Sequence, residues 1–163
     1  MRSLAGTMLI VAGLAASTHA QARQTTPAPA QGRQTTPPAA AAATNDVTVT
    51  ITYTGKGTID DSHSIVAFLF AEPNVGPQSR PLGPPQIVTK NGQTVTFKNA
   101  PGSAVYVLAI YAEKSPYDGR SGPPPTGTPI GMYSKDGKAP TAVTPGPKTA
   151  IKLTFNDAKR WGQ

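Results

Sequence analysis

The residues able to do chemistry are few and thinly spread. Eight carboxylates and two histidines accompany fifteen Lys and Arg in 163 residues, and cysteine is absent. Asp60, Asp61 and His63 form the one cluster of metal-ligand types. A zinc site needs three or four ligands brought together from separate elements. His19 belongs to a leader-like segment, so no second imidazole can join His63. The cluster reads as a polar loop. A Ser-His-Asp site would have to be built on His63, and no nucleophile-elbow motif occurs. Paired acids for glycoside hydrolysis need two protected carboxylates, whereas all eight here fall in turns, loops or strand ends. The residues therefore point to no catalytic group, no metal and no cofactor, and a small hydrolase is the reading they support least.

Recognition chemistry is better supplied. Residues 113–131 form a stretch with no evident secondary structure, and loops longer than about 15 residues are usually functional or disordered. It carries Tyr117, Asp118 and Arg120 beside the stiff run Gly122-Pro123-Pro124-Pro125. An aromatic ring with two opposite charges can read a sugar or a peptide, and prolines limit the ordering cost. These three residues are the expected ligand contacts. The alternative is a proline-stiffened cover over a sheet edge. Trp161 with Tyr117 and Tyr133 could likewise make an aromatic platform for a polysaccharide, or Trp161 could fold back over the end of the domain.

The elements that must position these residues are strands. Val47-Thr-Val-Thr-Ile-Thr-Tyr-Thr54 alternates strictly, with Val47, Val49, Ile51 and Tyr53 on one face and four threonines on the other. Period-two alternation of β-branched residues signals a half-buried strand. Residues 64–71 and 105–112 are apolar on both faces, as central strands are. Residues 72–85 form a Pro- and Gly-rich loop. Residues 85–90 and 93–99 flank Asn91-Gly92, a dipeptide suited to a type I′ hairpin turn. Val95 and Phe97 should face inward there. Residues 130–134 and 141–144 are expected to be short edge strands. In residues 149–155 the inward set is Ile151, Leu153 and Phe155. Seven or eight short strands with no convincing helix describe an all-β, two-sheet sandwich over residues 45–163.

Two segments precede it. Residues 1–20 have the parts of a secretory signal: Arg2, an apolar stretch centred on Leu9, Ile10, Val11 and Leu14, and small residues at Thr18 and Ala20. Residues 21–44 repeat Arg-Gln-Thr-Thr-Pro at Arg23 and Arg33 and are otherwise dominated by Ala and Pro. With no aliphatic side chain larger than Ala, that segment cannot offset its ordering entropy and reads as a disordered linker. The chain is therefore expected to be exported, to the periplasm or beyond. No cysteine follows the leader to take a lipid, and no membrane span is expected after cleavage. The sandwich carries twelve Lys and Arg against eight Asp and Glu, a mildly basic balance that suits anionic partners. No basic run with interleaved aromatics exists, so nucleic acid is not an expected partner.

The order Val95-Thr-Phe-Lys-Asn-Ala-Pro-Gly102 followed by Val105-Tyr-Val-Leu-Ala-Ile-Tyr111 resembles the transthyretin-like (prealbumin-like) sandwich of carboxypeptidase regulatory-like domains. In those domains a similar Phe, Pro, Gly and Tyr pattern marks a turn between two core strands. The layout is also similar to small exported bacterial domains of unknown function with a Gly-Pro-rich late loop. In that family an acidic loop suited to a metal follows the second core strand. Here Glu113 and Asp118 stand beside Lys114 and Arg120, far from the six or more oxygens that calcium takes. The resemblance thus implies the fold and is nearly silent on function. The reading is a non-catalytic module that binds a polysaccharide or an envelope protein. The alternative is an assembly protein pairing through sheet edges. Intact mass of the exported protein is expected to correspond to a chain starting at Gln21; retention of Met1 in the exported fraction would show that residues 1–20 are no cleaved leader.

Overall fold

Threonine and valine alternation dictates the first element. In the computed structural model, which describes residues 44–114 and 116–163, β1 (Val47–Tyr53) buries every second residue. β2 (Ile65–Phe70), β3 (Gln86–Val88), β4 (Thr94–Phe97), β5 (Tyr106–Tyr111), β6 (Ile130–Met132) and β7 (Ala150–Phe155) follow in chain order. They form two sheets, ordered β4-β1-β7 and β3-β2-β5-β6. The described residues contain no helix, and so none long and apolar enough to cross a membrane. The expected leader and linker lie outside the described residues.

Between the sheets lies the main core. β1 contributes Val47, Val49, Ile51 and Tyr53; β2 contributes Ile65, Ala67 and Leu69; β5 contributes Val107, Ala109 and Tyr111. Val95 and Phe97 face inward from β4, and Leu153 and Phe155 from β7, with Ile151 partly buried beside them. The pairing of β1 with β7 is parallel, in register from Thr48 opposite Ala150 to Tyr53 opposite Phe155. All other strand pairs are antiparallel. β6 is drawn tightly against β7: a Cβ on Gly131 would stand 2.2 Å from that of Phe155. Only a residue without a side chain closes the sandwich at that corner.

β2 and β5 are buried on both faces, as their sequences foretell. Their second faces form a separate cluster of Val66, Phe68, Phe70, Leu108 and Ile110 on the outside of the four-stranded sheet. By contrast, the outer face of the three-stranded sheet is hydroxyl-lined. Thr48 bonds Thr96 at 3.2 Å and Thr50 bonds Thr94 at 2.9 Å.

Two sequence expectations are corrected. Asn91-Gly92 does not join a hairpin, because β3 and β4 lie in different sheets. A type I′ turn needs two successive positive φ angles; only Gly92 has one, at 77°. Asn91 has another task. Its Nδ2 donates to the Tyr53 carbonyl and its Oδ1 accepts from the Tyr53 N–H, both at 2.8 Å. Next to it, the Gly92 N–H donates to the Ile51 carbonyl, and the Ile51 N–H donates to that of Gln93. A side-chain amide thus continues the ladder past the start of β4 and commits the chain to β1. Residues 141–144 are no strand, only a bridge of Val143 to Val105. Pro140, Pro145 and Pro147 crowd that stretch, and proline removes ladder donors.

Replacing Asn91 by Ala leaves the buried end of β1 without both partners. It is expected to cost about 1–3 kcal/mol in urea unfolding, the usual cost of orphaning buried polar groups. The exposed change Lys90→Ala should stay within about 0.5 kcal/mol. Equal effects would remove Asn91 from the ladder.

Candidate functional site

An apolar face on the outside of a sheet has to be covered, and two loops cover this one. Residues 71–85, between β2 and β3, bring Val75 onto it; residues 112–129, between β5 and β6, bring Tyr117. The Tyr117 ring lies 6.4 Å from that of Phe68, centroid to centroid. Gly119, at φ 75°, passes so close that a Cβ there would meet the Phe68 ring at 2.5 Å. Backbone, not side chain, seals that point.

Each loop holds its own shape. Tyr117 Oη donates to the Gly122 carbonyl at 2.7 Å. Asp118 Oδ1 accepts from the Arg120 N–H at 2.9 Å and from Ser121 Oγ at 3.2 Å. These bonds hold the Asp118 carboxyl below its ordinary range, the Arg120 N–H contributing most. Burial, then the neighbouring Asp118 charge, pushes the Tyr117 phenol up. In the first loop the Gly76 N–H donates to Ser79 Oγ at 3.0 Å, and that hydroxyl donates to Glu72 Oε1 at 2.7 Å.

Between the two loops lies a cleft of about 230 Å³. Phe68 and Phe70 help to line it, with Pro77 and Pro81 from one loop and Tyr117 and Arg120 from the other. Of the three residues singled out by sequence, Tyr117 and Arg120 come together here. Asp118 does not line the cleft; its carboxylate is turned onto its own loop. In the sequence Phe68 and Phe70 carry only the signal of a buried strand, and nothing in a single strand's sequence says which loops will cover its outer face.

The aromatic platform does not assemble. Trp161 is 9% exposed, and its backbone pairs with Thr128 and Gly127 at the end of the second loop. Tyr133 packs on the main core and Tyr117 on the outer cluster. The tail thus folds back, as the alternative reading had it. Arg160 secures it: Nη1 donates to Glu113 Oε2 at 3.2 Å and to the Gly127 carbonyl at 2.6 Å, and Nη2 lies 3.8 Å from Asp157. One guanidinium therefore ties both ends of the second loop to the tail. Asp157 also accepts from the Tyr53 hydroxyl and, at 3.0 Å, from the Lys56 N–H.

His63 and Asp60 form a local polar turn. Asp60 Oδ1 accepts from the backbone of Ser62 and His63 and lies 3.0 Å from His63 Nδ1. Among the described residues, no group of three or more His, Cys, Asp or Glu is arranged to hold a metal. No family model, no curated protein and no solved structure matches the chain.

The Asp157 knot has a pH signature. Its carboxyl is held below the ordinary value, first by the Tyr53 hydroxyl and then by the Lys56 N–H. A carboxylate depressed on folding contributes stability that is present above its unfolded pKa of about 3.9 and lost as pH falls through the folded value. Burial and the same Asp157 bond raise the Tyr53 phenol, so that group's contribution is lost as pH climbs above about 10. Asp157→Asn is expected to flatten the acid limb of the stability-pH curve and to lessen the alkaline loss. An unchanged acid limb would show that the knot does not couple to folding.

Proposed function

We propose that this chain is an exported, non-catalytic β-sandwich module that binds a carbohydrate or an envelope protein in the cleft between its two long loops. The observation that carries the reading is the meeting of Tyr117 and Arg120 beside Phe68 and Phe70. An exposed guanidinium beside aromatic surface supplies both charge-assisted hydrogen bonds and contact area. Both loops that form the cleft rest on the sheet, the second is clasped by Arg160 and the first is held by the Gly76-Ser79-Glu72 bonds, so little ordering remains for a ligand to impose. Export rests on the leader-like residues 1–20. The transthyretin-like resemblance adds support, since its Pro101-Gly102 turn falls between β4 and β5, both of which feed the main core.

A second reading, assembly through sheet edges, has one specific observation in its favour. Ile87 on the terminal strand β3 is 50% exposed, the one large hydrophobic side chain so exposed among the described residues. Sedimentation across a concentration series separates the two: a dimer lost on Ile87→Lys favours assembly.

Glycan-array screening followed by titration of Arg120→Ala tests the first reading. Arg120 makes no side-chain bond within the described residues, so this variant should melt as the parent does. Loss of one charge-assisted contact should weaken the captured ligand by about tenfold or more. Unchanged affinity would exclude the cleft. Tyr117→Ala is the poorer probe, because it also strips cover from Phe68.

A further inference from the structure

The chain divides its charges unequally. Seven of the eight carboxylates in the described residues accept hydrogen bonds from the protein itself: Asp46 from the Asn99 N–H, Asp136 from Ser134 and Lys138, and the others as above. Among the twelve Lys and Arg there, only Arg160 is ion-paired within the described residues. The acids are held by local hydrogen bonds, several of them at the surface where they stay charged, while the other eleven bases have no carboxylate partner within the described residues.

That asymmetry has a location. The cleft beside Tyr117 shares Gly76 and Pro77 with a groove of about 610 Å³ that runs past Val75, Met132 and Trp161. The groove in turn shares Ile130, Met132, Pro140 and Lys159 with a recess of about 250 Å³ that reaches Lys138. No carboxylate lines any of the three. The track therefore carries Arg120 at one end, Lys159 along its middle and Lys138 at the other end, over a floor of aromatic, aliphatic and proline carbon.

Resting on the binding reading above, we propose that this track takes an extended acidic polysaccharide, its uronate carboxylates meeting Arg120, Lys159 and Lys138 and its ring faces lying on the apolar floor. Charge complementarity selects an anionic chain. A peptide adding as a strand would need free backbone groups along the track. At β6 the Ile130 N–H is already given to the Lys159 carbonyl, so the tail occupies that position. Sugar rings need no such edge: their C–H faces pack on aromatic and proline surfaces.

The test compares two probes of equal length, an oligogalacturonide and its methyl ester, titrated calorimetrically into the exported protein. The acid form is expected to bind at least tenfold more tightly than the ester and to weaken with added salt. Lys138→Glu with Lys159→Glu, both exposed, should abolish that preference without moving the melting temperature. Equal binding of acid and ester, with both weakened by Arg120→Ala, would overturn the acidic track and leave the cleft reading intact. Polyglutamate binding as tightly as the oligogalacturonide would overturn the choice of a polysaccharide. Binding of either probe that ignores both the lysine pair and Arg120 would overturn track and cleft together.

Discussion

A strand that is apolar on both faces must be covered twice, and β2 and β5 impose that demand on the whole domain. Their first faces meet β1, β4 and β7 across the main core. Their second faces find no third sheet. Two loops rich in proline and glycine take that place, laying Val75, Tyr117 and the bare backbone of Gly119 over Phe68 and Val66. Burying a side chain of that kind is worth about 1.5–3 kcal/mol relative to leaving it in water. That driving force keeps two long connections on the protein surface. The cleft arises from the same arrangement: two covers approach from opposite sides and do not quite meet.

Polar bonds then fix what burial brings near. Arg160 joins Glu113, Gly127 and Asp157, while Asp157 joins Tyr53 and Lys56. The rings of Tyr53 and Tyr111 lie 4.5 Å apart below this knot, and Tyr111 Oη donates to the Thr58 carbonyl at 3.1 Å. The end of the sandwich nearest the tail is thus held by buried aromatic stems with polar tips. Such side chains pack with their rings and bond with their ends.

Much of this was legible in the residues. Strict alternation in β1 fixes its two faces, and doubly apolar runs mark β2 and β5 as central. These signals are local and need no partner to be read. Pairing is another matter. Asn91-Gly92 has the composition of a hairpin turn, yet the choice between β3 and β1 as neighbour for β4 is made by an amide meeting Tyr53, 38 residues away in sequence. The candidate site was half legible for the same reason. Loop length and residue types pointed to Tyr117 and Arg120. The contribution of Phe68 and Phe70 and the clasp of Arg160 depend on contacts distant in sequence that no local pattern encodes, whereas Asp118 is turned onto its own loop by the neighbouring Arg120 and Ser121.

The parallel union of β1 with β7 has a temporal meaning. Thr54 Oγ1 bonds a carbonyl 101 residues further along the chain. The three-stranded sheet gains β7 only after every other strand of both sheets has appeared in the chain. Contacts so distant in sequence form slowly, since a large loop must close before they repay it. Closure of the three-stranded sheet, rather than formation of β1 itself, is therefore the event that commits the whole fold: until β7 arrives, β1 has a partner on one side only.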